Sequence, residues 1–315
     1  MNKQTIWKAL LAAERKARSA RWKRLVSSPL RYPALMAFNK LLYPLLGRGI
    51  TVTALPFFGC PMRTLLPSGT DILLNGIKSH DSEIRLSKFF CTYIQEGDII
   101  IDVGAHYGYY TLLASVLTGA KGKVYAVEAS AASYPMLHDN IKSYDNITSF
   151  HRAASDAACE LVFYEYPGPF AEYNTMNREA YLNQAWYKKV KETVNRVQTL
   201  VLDDLIRDQH ITKALIKIDA EGGELSVLRG LDQSLEGHTL TIVMEYLVGG
   251  GLNSPHQQSL QFLLSKGYTV HVINDDGQMQ SVSDLDAFLL GRGIDSDNVV
   301  LVRAEETDYT QSFRV

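Results

Sequence analysis

From Gly97 onward, short continuous apolar runs alternate with longer stretches in which apolar positions recur every three or four residues. The runs at 99–103, 124–127, 147–150, 215–218 and 240–244 predict strands buried on both faces. The stretches at 109–117, 132–144, 225–231 and 256–265 predict amphipathic helices between them. Such alternation implies a parallel sheet covered by helices on both sides. Two places break it. Residues 160–166 and 194–201 read as strands around a polar, Tyr/Asn-rich insertion at 172–191. Near the end, 268–273 and 298–302 are joined by a turn-rich segment around Asp275-Asp276-Gly277, which predicts a closing antiparallel pair.

Upstream, residues 57–74 are rich in Pro, Gly and β-formers and predict short strands. Residues 82–94 predict a helix with Ile84, Leu86, Phe89, Phe90 and Tyr93 on one face. Residues 5–26 predict another, with Ile6, Trp7, Leu10, Ala13, Ala17 and Trp22 roughly on one side and basic residues opposite. Two readings of this first helix stay open: a surface element lying on a membrane, or an arm packed on the protein's own body. The chain divides into a basic helical N-terminal extension, 1–65, and one α/β domain, 66–315.

Charge sharpens the picture of the extension. Residues 1–48 hold eleven Lys/Arg against the single acid Glu14, in a chain whose net charge is −2. A segregated basic end favours an anionic partner, here an anionic membrane surface through residues 1–48. The most apolar early stretch, 33–46, has 14 residues and is interrupted by Asn39, Lys40 and Pro44. Spanning a bilayer takes about 20, and no apolar secretory core is visible. The expected location is cytoplasmic, peripheral on the inner face of the membrane. Three cysteines, Cys60, Cys91 and Cys159, lie far apart and predict neither a disulfide framework nor a thiolate metal site. Basic and aromatic residues are not interleaved on the strands, so no nucleic-acid partner is expected.

The chemistry centres on Asp102-Val-Gly-Ala-His-Tyr-Gly108, between the first strand and a helix. Gly104 and Gly108 suit a turn whose backbone N–H groups approach an anionic ligand. The dinucleotide fingerprint G-x-G-x-x-G is absent. Glu128 ends the second strand, where a carboxylate can accept two ribose hydroxyls. Asp156 follows the third, where an acceptor can reach an adenine amino group. A second acidic group, Asp219, Glu221, Glu224 and Glu245, belongs to the ends of the fourth and fifth strands. There a carboxylate can act as general base, Asp219 first, its proton affinity raised by Glu221 and Glu245. A divalent metal bridging Asp219 and Glu245 is the alternative, although no third ligand has clear spacing. His106 is either a base or a residue packing on the cofactor.

The runs DIIIDVGAHYGYYTLLAS (98–115), VYAVEASAASYPMLHDNI (124–141), FHRAASD (150–156), VQTLVLDDL (197–205) and LIKIDAEGGELSVLRG (215–230) resemble the FkbM family of methyltransferases over roughly residues 80–250. The resemblance implies a class I methyltransferase fold: Rossmann-like α/β, with a mostly parallel seven-stranded sheet ending in an antiparallel pair. It also implies S-adenosylmethionine as donor and a sugar or polyketide hydroxyl as acceptor. Carried over by motif position, Asp102, Gly104, Ala105, Tyr107, Gly108, Glu128, Ala129 and Asp156 would hold the cofactor. Asp219, Glu221 and Glu245 would lie on the acceptor side. The chain departs from the commonest family pattern at His106-Tyr107, where asparagine and an aliphatic residue are usual. The leading expectation is therefore O-methylation of a carbohydrate or glycan-like acceptor. The alternatives are an NAD-dependent oxidoreductase and a membrane-docked binding module that has lost its chemistry.

Overall fold

The computed structural model describes residues 2–20, 26, 29–46, 49–167, 170, 174–176, 178–182, 184, 186–249 and 254–303. Its main sheet has eight strands. Five are parallel: β5 (Ile147–His151), β4 (Lys123–Glu128), β3 (Ile99–Val103), β9 (Lys213–Ile218) and β10 (Thr239–Leu247), in that spatial order. Beyond β10 lie β13 (Ser296–Arg303), β11 (Tyr268–Ile273) and the edge strand β12 (Met279–Ser281), all antiparallel to their neighbours. The expected α/β fold is present. The expected seven strands become eight because three residues after the Asp275–Gly277 turn pair with β11. The helix Leu285–Gly291, capped by Asp284, also forms in this turn-rich segment, which showed no helical period.

Strand side chains alternate between the two faces. Ile100 enters one core, while Ile101 and Val103 enter the other. The first core is closed by the helices Asp81–Tyr93, Tyr109–Thr118 and Tyr134–Ile141. The second is closed by Leu202–Asp208, Glu224–Arg229 and Pro255–Ser265. The region between β5 and β9 builds a small separate sheet. There β8 (Thr193–Leu200) lies between β6 (Ala153–Ala154) and β7 (Glu160–Glu165). The expected polar insertion, 172–191, lies partly outside the described residues.

The first helix is Lys3–Ala17, shorter than the predicted 5–26; residues 21–25 lie outside the described ones. Ile6, Leu10 and Ala13 are buried in the same core as Phe89 and Phe90. Asn2 caps its start, accepting from Thr5 N at 2.8 Å. Lys3 Nζ donates to the carbonyls of Thr92 and Ile94, near the negative end of Asp81–Tyr93. Lys88 Nζ bonds Glu14 at 2.8 Å and the Asp275 carbonyl at 2.7 Å. This helix is a packed arm sharing the core of the α/β body, the second of the two open readings. Between it and β3 stand the hairpin of β1 (Ile50–Ala54) and β2 (Met62–Leu66) and the short helix Thr70–Asn75. Among the described residues no helix is long and apolar enough to cross a membrane.

Candidate active site

β3 ends at Val103, and the chain turns through 104–108 into the helix Tyr109–Thr118. Gly104 has φ 75°, and a Cβ there would lie 1.9 Å from the Asp219 carbonyl oxygen. Gly108 has φ 90°, and its Cβ would meet Leu137 Cδ1 at 2.8 Å. Both glycines are thus required by close approach inside the protein. The turn's amides are spent as well. Gly104 N and Ala105 N both donate to the Val127 carbonyl, and Gly108 N donates to that of Ala105. His106 N donates to Glu128 Oε2 at 2.6 Å. These four amides are therefore engaged within the protein, where the turn's N–H groups were expected to approach a ligand. Gly104, Ala105, His106 and Tyr107 still line the cavity, whereas Gly108 packs beneath it.

Glu128 stands at the end of β4 and faces the same cavity. Its Oε1 accepts from Ser130 N at 2.8 Å and its Oε2 from His106 N, which leaves each oxygen a further lone pair for a ligand hydroxyl. Burial pushes its carboxyl up to about 7, against the two backbone bonds and with help from Asp102 and Glu165. Ala129 lines the cavity beside it, with Arg152, Ala153, Ala154, Phe163 and Met176 forming the neighbouring wall. Asp156 does not belong to this wall. Pairing of Ala153 and Ala154 with Thr199 and Leu200 carries the chain past the strand ends, leaving Asp156 exposed and turned toward Ser155. Asp156, expected to reach the adenine, is therefore not among the residues that line this cavity.

Asp102 is buried under the turn. Its Oδ2 accepts from Thr111 Oγ1 at 2.6 Å and its Oδ1 lies 3.8 Å from Lys217 Nζ. Lys217, on the apolar strand β9, also reaches Asp219 Oδ2 at 3.0 Å and lies 5.4 Å from the Tyr110 ring centre. Burial alone would lower the lysine, but Asp219, Asp102 and Glu83 raise it overall. Burial likewise favours protonated Asp219, yet Lys217 and Lys78 override it and hold that carboxyl below its ordinary range. The expected rise from Glu221 and Glu245 is therefore reversed. Two ammonium groups face Asp219, and they outweigh the acids. The two ammonium groups thus favour the ionised form of Asp219.

Glu245, at the end of β10, shows the opposite behaviour. Burial and the charge of Asp219 push it up to about 7, while a bond with Ser296 pulls it down. Glu221 lines the cavity with φ 47°, its carbonyl accepting from Thr175 Oγ1 at 2.8 Å. Glu224 is turned inward and accepts from the amides of Ala220 and Gly222, so it closes the loop after β9. The His106 ring stacks on Tyr107 with centroids 3.6 Å apart. Burial, assisted by Lys78, lowers His106 to about 3, so its imidazole is neutral at ordinary pH. Its Nε2 is shielded from solvent and has no hydrogen-bond partner among the described residues. Among those residues no group of three or more His, Cys, Asp or Glu is placed to hold a metal. The place a cation would take beside Asp219 is held by the Lys217 ammonium.

One cavity of about 870 Å³ joins these parts, from Glu128 and Arg152 at one end to Asp219, Glu245 and His256 at the other. The sequence reading missed Lys217, Lys78 and Glu83. Lys78 pairs with Glu83 at 3.0 Å, and Tyr110 OH donates to the same carboxylate at 2.9 Å. Lys217 had a signal: a lysine between Ile216 and Ile218 on a buried strand needs a carboxylate partner. Lys78 and Glu83 had none, since only the fold brings them to the strand ends.

A hexuronic acid methyltransferase of Haloferax volcanii, AglP, is 24% identical over 151 residues, covering 47% of this chain. The chain spans 56% of that relative's length. Among solved structures, an O-methyltransferase from Bacillus cereus in complex with SAH has a TM-score of 0.38 at 15% identity, covering 68% of this chain and 78% of that one. A fibrillarin of Aeropyrum pernix with bound S-adenosyl-L-methionine has a TM-score of 0.36 at 16% identity, covering 66% and 67%. The methyltransferase FkbM domain matches residues 102–270, more than half of the sequence, and the chain belongs to that family.

Proposed function

We propose that this protein transfers a methyl group from S-adenosylmethionine to a hydroxyl oxygen of a sugar. The observation that carries the reading is the single cavity joining the Glu128 end to the Glu245 end, within the roughly 300–1,000 Å³ typical of ligand sites. Bound S-adenosylmethionine supplies an electrophilic methyl group on a positively charged sulfur. Glu128 fits its ribose, with one free lone pair on each oxygen, and Phe163 and Met176 offer apolar walls to a flat base. Asp219, kept ionised by Lys217, offers its remaining lone pairs to hydrogen-bond donors of a ligand.

Methylating an alcohol requires removal of its proton as the oxygen attacks. Glu245, raised to about 7, is part carboxylate at neutral pH and holds a proton well enough to take one from a hydroxyl. His106, lowered to about 3, is a weak base, and its unpartnered Nε2 serves to position a ligand by one hydrogen bond. The sugar assignment is supported by the hexuronic acid methyltransferase relative and by the polar lining of this end, which includes Lys78, His80, His256 and Asn298. Calorimetric titration separates this reading from the alternatives. S-adenosylmethionine and its demethylated product should both bind one site per chain, and NAD should not. Binding of NAD without S-adenosylmethionine would overturn it.

A further inference from the structure

The arm Lys3–Ala17 is buried in the body, so it leaves the basic N-terminal region without its expected amphipathic face. A different segment has one. The chain is helical through Arg31–Ala37, a wider turn at Phe38–Leu42, and Tyr43–Leu46. Its inner side seats Leu35 and Phe38 against Leu66 and Leu74. Its outer side carries Leu30, Ala34, Ala37, Leu41 and Leu45, spaced by four, three, four and four residues, so they form one stripe. Leu30 is 84% exposed, Leu41 70% and Leu45 85%. Arg31 and Lys40, both exposed, flank it.

We propose that this outer stripe lies in the headgroup layer of an anionic membrane. Exposed leucines in a row are unusual on a soluble face and call for an occupant. Charge selects which one. Residues 29–46 carry Arg31 and Lys40 and no acid, so two copies meeting through this stripe would bring like charges together, whereas an anionic lipid surface neutralises them. The stripe is also tied to the active site. Asn39 Nδ2 donates to Thr70 Oγ1 at 3.0 Å, at the start of the helix Thr70–Asn75, whose Asp71 and Ile72 line the cavity. Docking there links the lipid-bound segment, through Asn39 and Thr70, to a helix that forms part of the cavity wall. Resting on the proposed methyl transfer, this names the acceptor class as a sugar carried on a lipid.

The test is co-sedimentation of the full chain with vesicles of phosphatidylcholine, either pure or with roughly a third phosphatidylglycerol. Binding to the anionic vesicles alone is expected, weakening as salt rises from about 0.05 to about 0.5 M. The double substitution Leu41→Glu, Leu45→Glu should weaken it about tenfold or more. Arg31→Gln with Lys40→Gln should flatten the salt dependence. S-adenosylmethionine affinity, measured on both variants, should stay within about twofold, because these side chains are exposed and outside the cavity. Wild-type protein left in the supernatant with anionic vesicles would overturn the proposal, as would undiminished binding by the leucine variant. A wild-type dimer that the leucine variant turns into a monomer, without vesicle binding by either, would assign the stripe to a second copy instead. Loss of S-adenosylmethionine binding by wild-type protein would sink the enzymatic reading and the acceptor class while leaving the vesicle result to stand.

Discussion

Replacing Glu128 by Gln separates two roles that the structure gives one side chain. In the folded protein its carboxyl is pushed up to about 7 from an ordinary 4.5, chiefly by burial. A raised carboxyl binds its proton more tightly when folded, so its contribution to stability is present below pH 4.5 and is lost as pH rises through 7. At about 1.4 kcal/mol per unit, the loss across that window approaches about 3 kcal/mol. Glutamine does not titrate and avoids this loss. It has one acceptor oxygen where Glu128 uses two, so one of the amides of Ser130 and His106 is left facing an NH₂ group, at a cost of about 1–3 kcal/mol. Denaturant unfolding of both proteins at pH 5 and pH 8 should therefore show a crossing. The variant is less stable than wild type at pH 5 and equal or more stable at pH 8. Its affinity for S-adenosylmethionine should fall by about tenfold or more, since a charge-assisted bond to a hydroxyl is worth about 1.5–3 kcal/mol. A stability difference flat to within about 0.5 kcal/mol from pH 5 to pH 8 would refute the assignment of a buried, raised carboxyl.

Gly104→Ala should destabilise by about 3 kcal/mol or more, because its Cβ meets the Asp219 carbonyl and the backbone is left-handed; a melting temperature within a degree of wild type would contradict this. Leu10→Ala should cost about 2–5 kcal/mol in denaturant unfolding if Lys3–Ala17 is a core element, and well under 1 if it is a detachable arm. Asp219→Asn removes the nearer partner of the buried Lys217 ammonium and should lower stability by about 1–3 kcal/mol; an unchanged denaturant midpoint would contradict the pairing. Chelator treatment should leave methyl transfer intact, since Lys217 occupies the cationic position beside Asp219; loss with rescue by Mg²⁺ or Mn²⁺ would restore the bridging-metal reading.

The parallel strands were legible because β3, β4, β9 and β10 are apolar on both faces, a pattern that survives without any knowledge of partners. The glycines and acids of the turn were legible as positions. Their work was not, because the pull of Val127 on two amides and of Glu128 on a third exists only once β3 and β4 are paired. The exposure of Asp156 was not legible for a similar reason: the β6–β8 pairing redirects the chain two residues before it. Amphipathic spacing in residues 5–26 identified a helix but was silent on what its apolar side meets. The bonds of Lys3 to carbonyls near residue 93 decide that, and they span about ninety sequence positions. The rise in proton affinity expected for Asp219 from Glu221 and Glu245 left out Lys217 and Lys78, whose charges push the other way.

The most direct measurement is transfer of a labelled methyl group from S-adenosylmethionine to a panel of hexuronic acid and neutral hexose glycosides, comparing wild type with Glu245→Gln. The account predicts label on a sugar hydroxyl oxygen with wild-type enzyme. It predicts an activity limb rising toward pH 7 as Glu245 ionises, and a fall of roughly 10²–10⁴ in turnover for the variant with cofactor affinity little changed. Label appearing on a carboxylate or nitrogen, or near-native transfer by Glu245→Gln, would contradict it.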